Sequence, residues 1–342
     1  MKKEKYNQIY VFCPYGVITG GPDALHQIVY YLNDLGITAH IVYYDIVSRK
    51  KKIPFQYEKY IKDYLLLKDV MDLKKNAAIF PEIITSFVYN YKKLDKYIWW
   101  LSVDHGKKVS PSLWNRLKHN PFKNLHYKVH KHIFSQDNSK STEYKFNNKI
   151  EVTHLCASYY AYNYVESHLV NNRAILLIEP ISKIFLENTK KLKNHEKVDA
   201  ILYNPSKNFE FTDKVIKHCP DLEFTPIKGY NQKQLIELYS RTKVYIDFGP
   251  FPGAERIPKE AVLYGCTILT GRNGASNFYG DVPIKDEYKI ESKVENVEFI
   301  RNKLLYMLEN YEIISNDFVE YRNTVAGLET EFIKNLSNIF LK

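Results

Sequence analysis

The chain has 342 residues, 45% hydrophobic and 26% charged, which excludes a disordered, collagen-like or disulfide-scaffold protein and suffices for two domains or one large one. Its formal charge of +10 is uneven: residues 1–175 hold 26 Lys/Arg against 15 Asp/Glu, and residues 176–342 hold 23 against 24. Such asymmetry points to an anionic partner for the first half, or else to the codon bias of a chain rich in Lys, Asn, Ile and Tyr. Taken in order, the first predicted element is the β-rich run Gln8–Tyr15, then a glycine-rich turn, Gly16–Pro22. A helix is predicted over Asp23–Gly36, with Pro22 at its first position and Gly36 at its C-terminal cap. The strand Ala39–Asp45 follows. Strand, glycine turn, helix and strand make a βαβ unit, whose ligand site lies at the carboxyl ends of its strands. The alternation continues with strands at Ala77–Glu82, Tyr97–Asp104, His132–Ser135 and Glu151–Cys156, and the pattern restarts around Arg173–Pro180. Strands at Val198–Tyr203, Glu223–Ile227, Lys243–Asp247 and Cys266–Leu269 then form a second α/β unit. From Asn316 to Lys342 a helical stripe of Phe318, Tyr321, Val325, Leu328, Phe332, Leu336 and Phe340 closes the chain.

Cys13, Cys156, Cys219 and Cys266 lie far apart without CxxC spacing, so neither a zinc site nor a disulfide framework is expected and a reducing compartment is. The first apolar run is short and broken by Pro14, unlike a secretory signal, and no segment approaches the roughly 20 apolar residues of a membrane span. A cytoplasmic protein is expected, at most peripheral to the inner face of a membrane.

Two glycine-bearing regions are candidates for chemistry. Gly20 and Gly21 stand at a strand-to-helix junction, where backbone N–H groups and the helix dipole suit a phosphate or carboxylate; a plain tight turn has the same spacing. In the second half, the loop Pro250–Arg256 leads into a predicted short helix, Ile257–Gly265, and the next strand ends in the loop Thr270–Ser276, which contains Gly274. Glu260, expected in the first helical turn, has the chemistry to accept from ribose hydroxyls, and Lys207 and Arg256 to neutralise a diphosphate. The alternative is that Glu260 only stabilises its helix N-terminus.

The run Thr19–Tyr44, TGGPDALHQIVYYLNDLGITAHIVYY, resembles the N-terminal loop and first helix of GT-B glycosyltransferases of the family-four type. The run Tyr245–Gly271, YIDFGPFPGAERIPKEAVLYGCTILTG, resembles their nucleotide-sugar motif. The likeness is strongest to glycosyltransferases of bacterial capsule and lipopolysaccharide clusters. It implies an α/β GT-B fold with two Rossmann-like domains facing a cleft, over 1–175 and 176–315, and a C-terminal helix, 316–342, crossing back. It implies sugar transfer from a nucleotide-sugar donor to a glycan or lipid-linked acceptor without metal or other cofactor. Gly20, Gly21, Lys207, Glu255, Arg256, Glu260 and Gly274 would bind the donor. The family motif has two glutamates eight positions apart; Glu260 matches the second, but Pro252 stands at the first, with Glu255 and Arg256 in an altered loop.

An inverting enzyme needs a base near the acceptor, and Asp104, His105 and His26 are the candidates; at its place in an amphipathic helix His26 also reads as a packed or capping residue, and Glu82 is weaker because it can cap the next helix. From His105 to Lys131 basic residues alternate with Trp114, Phe122 and Tyr127 without an acidic residue, a pattern suited to an anionic membrane surface. No nucleic-acid partner is expected. The competing readings are a sugar-nucleotide epimerase of the same fold and a noncatalytic protein binding polyanions or nucleic acid.

Overall fold

A computed structural model describes residues 5–107, 144, 146, 150–169, 173–189 and 196–341. Contacts divide the chain into two units. The first contains the chain up to Ala157, Ala161–Leu177 and the residues from Phe332 onward; the second contains Ser158–Tyr160 and Ile178–Glu331.

The first unit is built on a parallel sheet of strands β1 (Gln8–Cys13), β2 (Ala39–Tyr43), β3 (Leu65–Leu66), β4 (Asn76–Pro81), β5 (Asp95–Trp100), β6 (Thr153–Cys156) and β7 (Arg173–Leu176). Their order is β3-β2-β1-β4-β5-β6-β7, with Val11 of β1 in register with Ile41 of β2 and Ile79 of β4. Strand order reverses between β1 and β4, and the crevice at such a reversal is where open α/β sheets take ligands. Residues 132–135, predicted as a strand, lie outside the described residues. The run beginning at Arg173, where the sequence pattern restarts, is the outer strand of this first sheet.

Helix Gly20–Asp34 starts earlier than its sequence pattern, with Thr19 at its N-cap and Asp23 N–H making a bond of 3.2 Å to the Thr19 carbonyl. Pro22 is therefore its third residue, a place where the missing N–H costs nothing because first-turn amides have no partner within the helix. Leu25, Ile28, Val29 and Leu32 form its buried face.

The second unit has a four-stranded parallel sheet of β8 (Val198–Tyr203), β9 (Glu223–Pro226), β10 (Thr242–Asp247) and β11 (Thr267–Thr270), ordered β11-β10-β8-β9. Its reversal lies between β8 and β10. Ile201, Leu202, Tyr245, Ile246, Ile268 and Leu269 pack in its core with Val262 and Leu304. The last helix, Val319–Phe340, supplies Phe318-side residues Tyr321 and Val325 to this core and Phe332, Leu336 and Phe340 to the core of the first unit.

Candidate functional site

The loops after β8 and β10 meet at the reversal point of the second sheet. After β8, Asn204–Lys207 forms a turn, and Asn208 takes a left-handed φ of 42° just before helix Phe209–His218. The Asn208 side chain donates to the Phe248 carbonyl at 3.0 Å, tying this turn to the chain after β10. Lys207 thereby lies over the β10 end: its ammonium pairs with Glu255, stands 3.8 Å from Asp247 and 5.1 Å from the centre of the Phe251 ring, and donates to the Pro250 carbonyl at 3.3 Å. At Gly249 a Cβ would fall 2.5 Å from the Lys207 Cβ, so glycine is what lets the two loops approach.

Asp247 is buried and accepts from the Tyr245 hydroxyl and the Gly249 N–H, both at 3.0 Å. Burial pushes its carboxyl upward against the pull of Lys207 and these donors. Burial also raises Glu255, with Lys207 opposing and Asp247 adding to the rise. Glu255 is the N-cap of helix Arg256–Leu263 but makes no side-chain cap bond, its carboxylate being directed to Lys207. The arrangement sets a lysine between two carboxylates beside a helix start, where an incoming anion meets both a cation and unpaired N–H groups.

Arg256 opens that helix, whereas Glu260 is its fifth residue, beyond the first turn in which the sequence pattern placed it. Glu260 is buried, and the Tyr239 hydroxyl donates to it at 3.5 Å. Gly274, in the loop after β11, packs on the backbone of Phe251; the Ala275 N–H donates to the Phe251 carbonyl at 2.8 Å. Lys207, Glu255, Arg256 and Gly274 are thus gathered around one loop. Asp247, Phe251 and Lys259 belong to the same neighbourhood and escaped the sequence reading. Asp247 had a signal, a lone acid ending an apolar strand. Lys259 had none: it is buried, with burial lowering its pKa while Glu179 and Asp281 oppose, and those partners come from distant segments.

The chain has the GT-B fold. Among solved structures, WaaG, a glycosyltransferase involved in lipopolysaccharide biosynthesis, aligns with a TM-score of 0.53 at 12% identity over 96% of this chain and 99% of its own. T4 phage BGT in complex with its UDP-glucose substrate aligns with a TM-score of 0.51 at 11% identity, over 97% and 99%. Sucrose-phosphate synthase from Thermosynechococcus elongatus gives 0.51 at 11% identity, over 96% and 94%. No protein-family model matches the chain, and neither does any curated protein. The GT-B likeness is one of fold.

In the first GT-B unit, Gly20 and Gly21 are the first two residues of helix Gly20–Asp34, next to the reversal point. A Cβ on Gly21 would meet only Leu101, at 3.7 Å, so packing does not demand glycine there. Asp104 and His105 lie in helix Val103–Lys107 at the carboxyl end of β5, Asp104 half-buried and His105 exposed. Glu82, after β4, is buried and accepts from the Leu101 N–H at 3.2 Å, so it braces the segment leading to Asp104. Of the two sequence readings of His26, packed residue and base, the geometry favours the first. It has no exposed surface; its Nδ1 is 2.6 Å from the Pro22 carbonyl, its Nε2 is 2.8 Å from the Tyr43 hydroxyl, and its ring stacks on Tyr57 at 3.8 Å. Burial lowers its pKa to about 4, leaving a neutral ring whose two nitrogens are both occupied. This geometry makes His26 a packing residue. The basic segment ending at Lys131 lies outside the described residues beyond Lys107.

Proposed function

We propose that this chain is a glycosyltransferase that moves a sugar from a nucleotide-sugar donor to an acceptor hydroxyl. The observation that carries this reading is the meeting of Lys207, Asp247, Glu255 and the start of helix Arg256–Leu263 at the reversal point of the second sheet of a GT-B fold. In this proposal the donor diphosphate takes over Lys207 from its two carboxylates and adds Arg256 and the helix N–H groups, so that leaving-group charge is stabilised without a divalent ion. Glu260 accepts from the ribose hydroxyls, Glu255 faces the transferred sugar, and Gly20, Gly21 and Gly274 shape the backbone around the donor.

Asp104 is the proposed base for an inverting transfer. The acceptor hydroxyl gives it a proton as the new bond to the anomeric carbon forms, and the bond to the diphosphate breaks with its electron pair leaving on the nucleotide. His105 is the neighbouring alternative. The proposed acceptor is a glycan or lipid-linked glycan of bacterial capsule or lipopolysaccharide synthesis, met at the cytoplasmic face of the membrane. The basic excess of residues 1–175 supports an anionic acceptor or surface.

Thermal unfolding in the presence of UDP, GDP, CMP, ADP and dTDP sugars tests the donor site. One nucleotide class should raise the midpoint, and Lys207→Ala and Glu260→Gln should each abolish the rise. Indifference to every nucleotide would sink the enzyme reading.

A further inference from the structure

A concave site lies in the first unit, lined by none of the residues proposed for the donor. The chain after β2 runs through four consecutive cations, Arg49–Lys52, and returns along residues 58–64 to β3, bordering an open cleft of about 550 Å³. Arg49, Lys51, Lys52 and Lys62 line it together with Glu58 and Asp63. That volume is in the range of small-ligand sites, about 300–1,000 Å³.

The lining is held in place by specific bonds. The Tyr64 hydroxyl donates to the Lys51 carbonyl at 2.7 Å, and the Tyr15 hydroxyl donates to the Lys52 carbonyl at 2.8 Å. Lys51 sits 4.9 Å above the Tyr15 ring, and Arg49 is anchored to Asp69 at 2.8 Å. Asp69 also accepts from the Leu66 N–H at 2.9 Å, which fixes that pair to β3. The cleft follows the carboxyl end of β2, the edge on which parallel sheets take ligands. Lys52 and Lys62 are exposed, and no ion pair engages either among the described residues.

The chemistry is mixed. Lysine ammonium groups attract a phosphate or carboxylate as point charges. Glu58 and Asp63 are acceptors only and suit hydroxyl groups. Tyr64 and Ile61 give an apolar wall. A flat anionic membrane would engage the cations and leave Glu58 and Asp63 without a partner, whereas a sugar carrying one anionic group among several hydroxyls satisfies both sets.

We infer that this cleft binds an anionic saccharide, a sugar phosphate or a uronate, through Lys52 and Lys62 with Glu58 and Asp63 taking its hydroxyls. On the glycosyltransferase reading, on which this last step rests, the ligand is part of the acceptor.

Saturation-transfer NMR titrations of the full chain with glucose 6-phosphate, glucuronate and glucose test it, with the melting shift produced by the nucleotide-sugar panel read on the same samples. At least one anionic sugar should bind and glucose should not, which also tells phosphate from carboxylate. The double variant Lys52→Ser/Lys62→Ser should bind roughly tenfold more weakly, as expected for two partly exposed charge contacts, with its melting point unchanged. Binding should weaken as salt rises. Absence of binding by both anionic sugars, or equal binding by the double variant, overturns the inference. So does retention on anionic vesicles that the double variant loses while no sugar binds. If no nucleotide sugar of that panel has an effect but the sugar site behaves as stated, the donor-site reading fails and this one stands; the reverse pattern separates them in the other direction.

Discussion

Gly274 has φ of 56°, and a Cβ placed there would lie 2.1 Å from the Phe251 carbonyl oxygen. Replacement by alanine combines left-handed strain with a backbone clash and should cost roughly 2 kcal/mol or more. Thermal melts of Gly274→Ala should show the loss, and because Phe251 flanks Lys207, nucleotide stabilisation should weaken with it. Gly21→Ala is the contrast, with the fold intact. At Asp104, replacement by Asn keeps the shape and removes the proton acceptor, so kcat should fall by roughly 10²–10⁴ with the donor KM little changed. A variant of normal kcat would move the base elsewhere. Lys207, Arg256 and Glu255 were legible because they flank glycine loops after strand-like runs. His26 kept two readings, packed residue and base, because helical spacing says which face a residue is on, but not that Tyr43 and Tyr57 close over that face.

Two helices of the second unit end on one side chain. The Lys197 ammonium donates to the carbonyls of Tyr239, Thr242 and Tyr264, at 2.8, 2.9 and 2.8 Å. These lie at the C-terminal ends of helices Gln232–Arg241 and Arg256–Leu263, where carbonyls lack helical partners and a positive charge is favoured. Burial lowers the Lys197 pKa, which the three acceptors make tolerable. Lys197→Met strands those carbonyls and should destabilise by roughly 3 kcal/mol, read as a lowered denaturant midpoint. A neutral result would mean that water takes the ammonium's place. The parallel strands were legible as short apolar runs bounded by turn residues. β3 was not, since its two residues, Leu65 and Leu66, are too short to carry a period and pair with β2 only because the loop returns there. Lys259, Glu179 and Asp281 became neighbours only through tertiary packing, which no local pattern encodes.

Two buried histidines give the first unit a common response to acid. His26 and His154 each have a pKa lowered by burial to about 4, and His154 accepts the Trp100 indole N–H at 2.9 Å. A folded-state pKa below the unfolded value of 6.5 means that the unfolded chain takes up protons first. Stability is therefore full above pH 6.5 and is lost as pH falls toward 4, by roughly 2 kcal/mol per ring at pH 5. Urea midpoints measured from pH 7.5 to 4.5 should follow that course, and His154→Phe should flatten it; an unchanged slope in that variant would show that His154 does not titrate on unfolding.

The last helix has a consequence for the order in which the molecule can be made. Phe332 packs against Tyr31 and Trp99 at ring distances of 5.7 and 6.1 Å, and Phe340 packs against Tyr97 at 5.2 Å, all in the core of the first unit. That unit is built from residues on both sides of Ile178–Glu331, the main part of the second unit, which is inserted between them. During translation its apolar slot stays open until Phe332, Leu336 and Phe340 have emerged, so a nascent chain stalled at residue 331 presents a docking face for a chaperone or for another nascent chain.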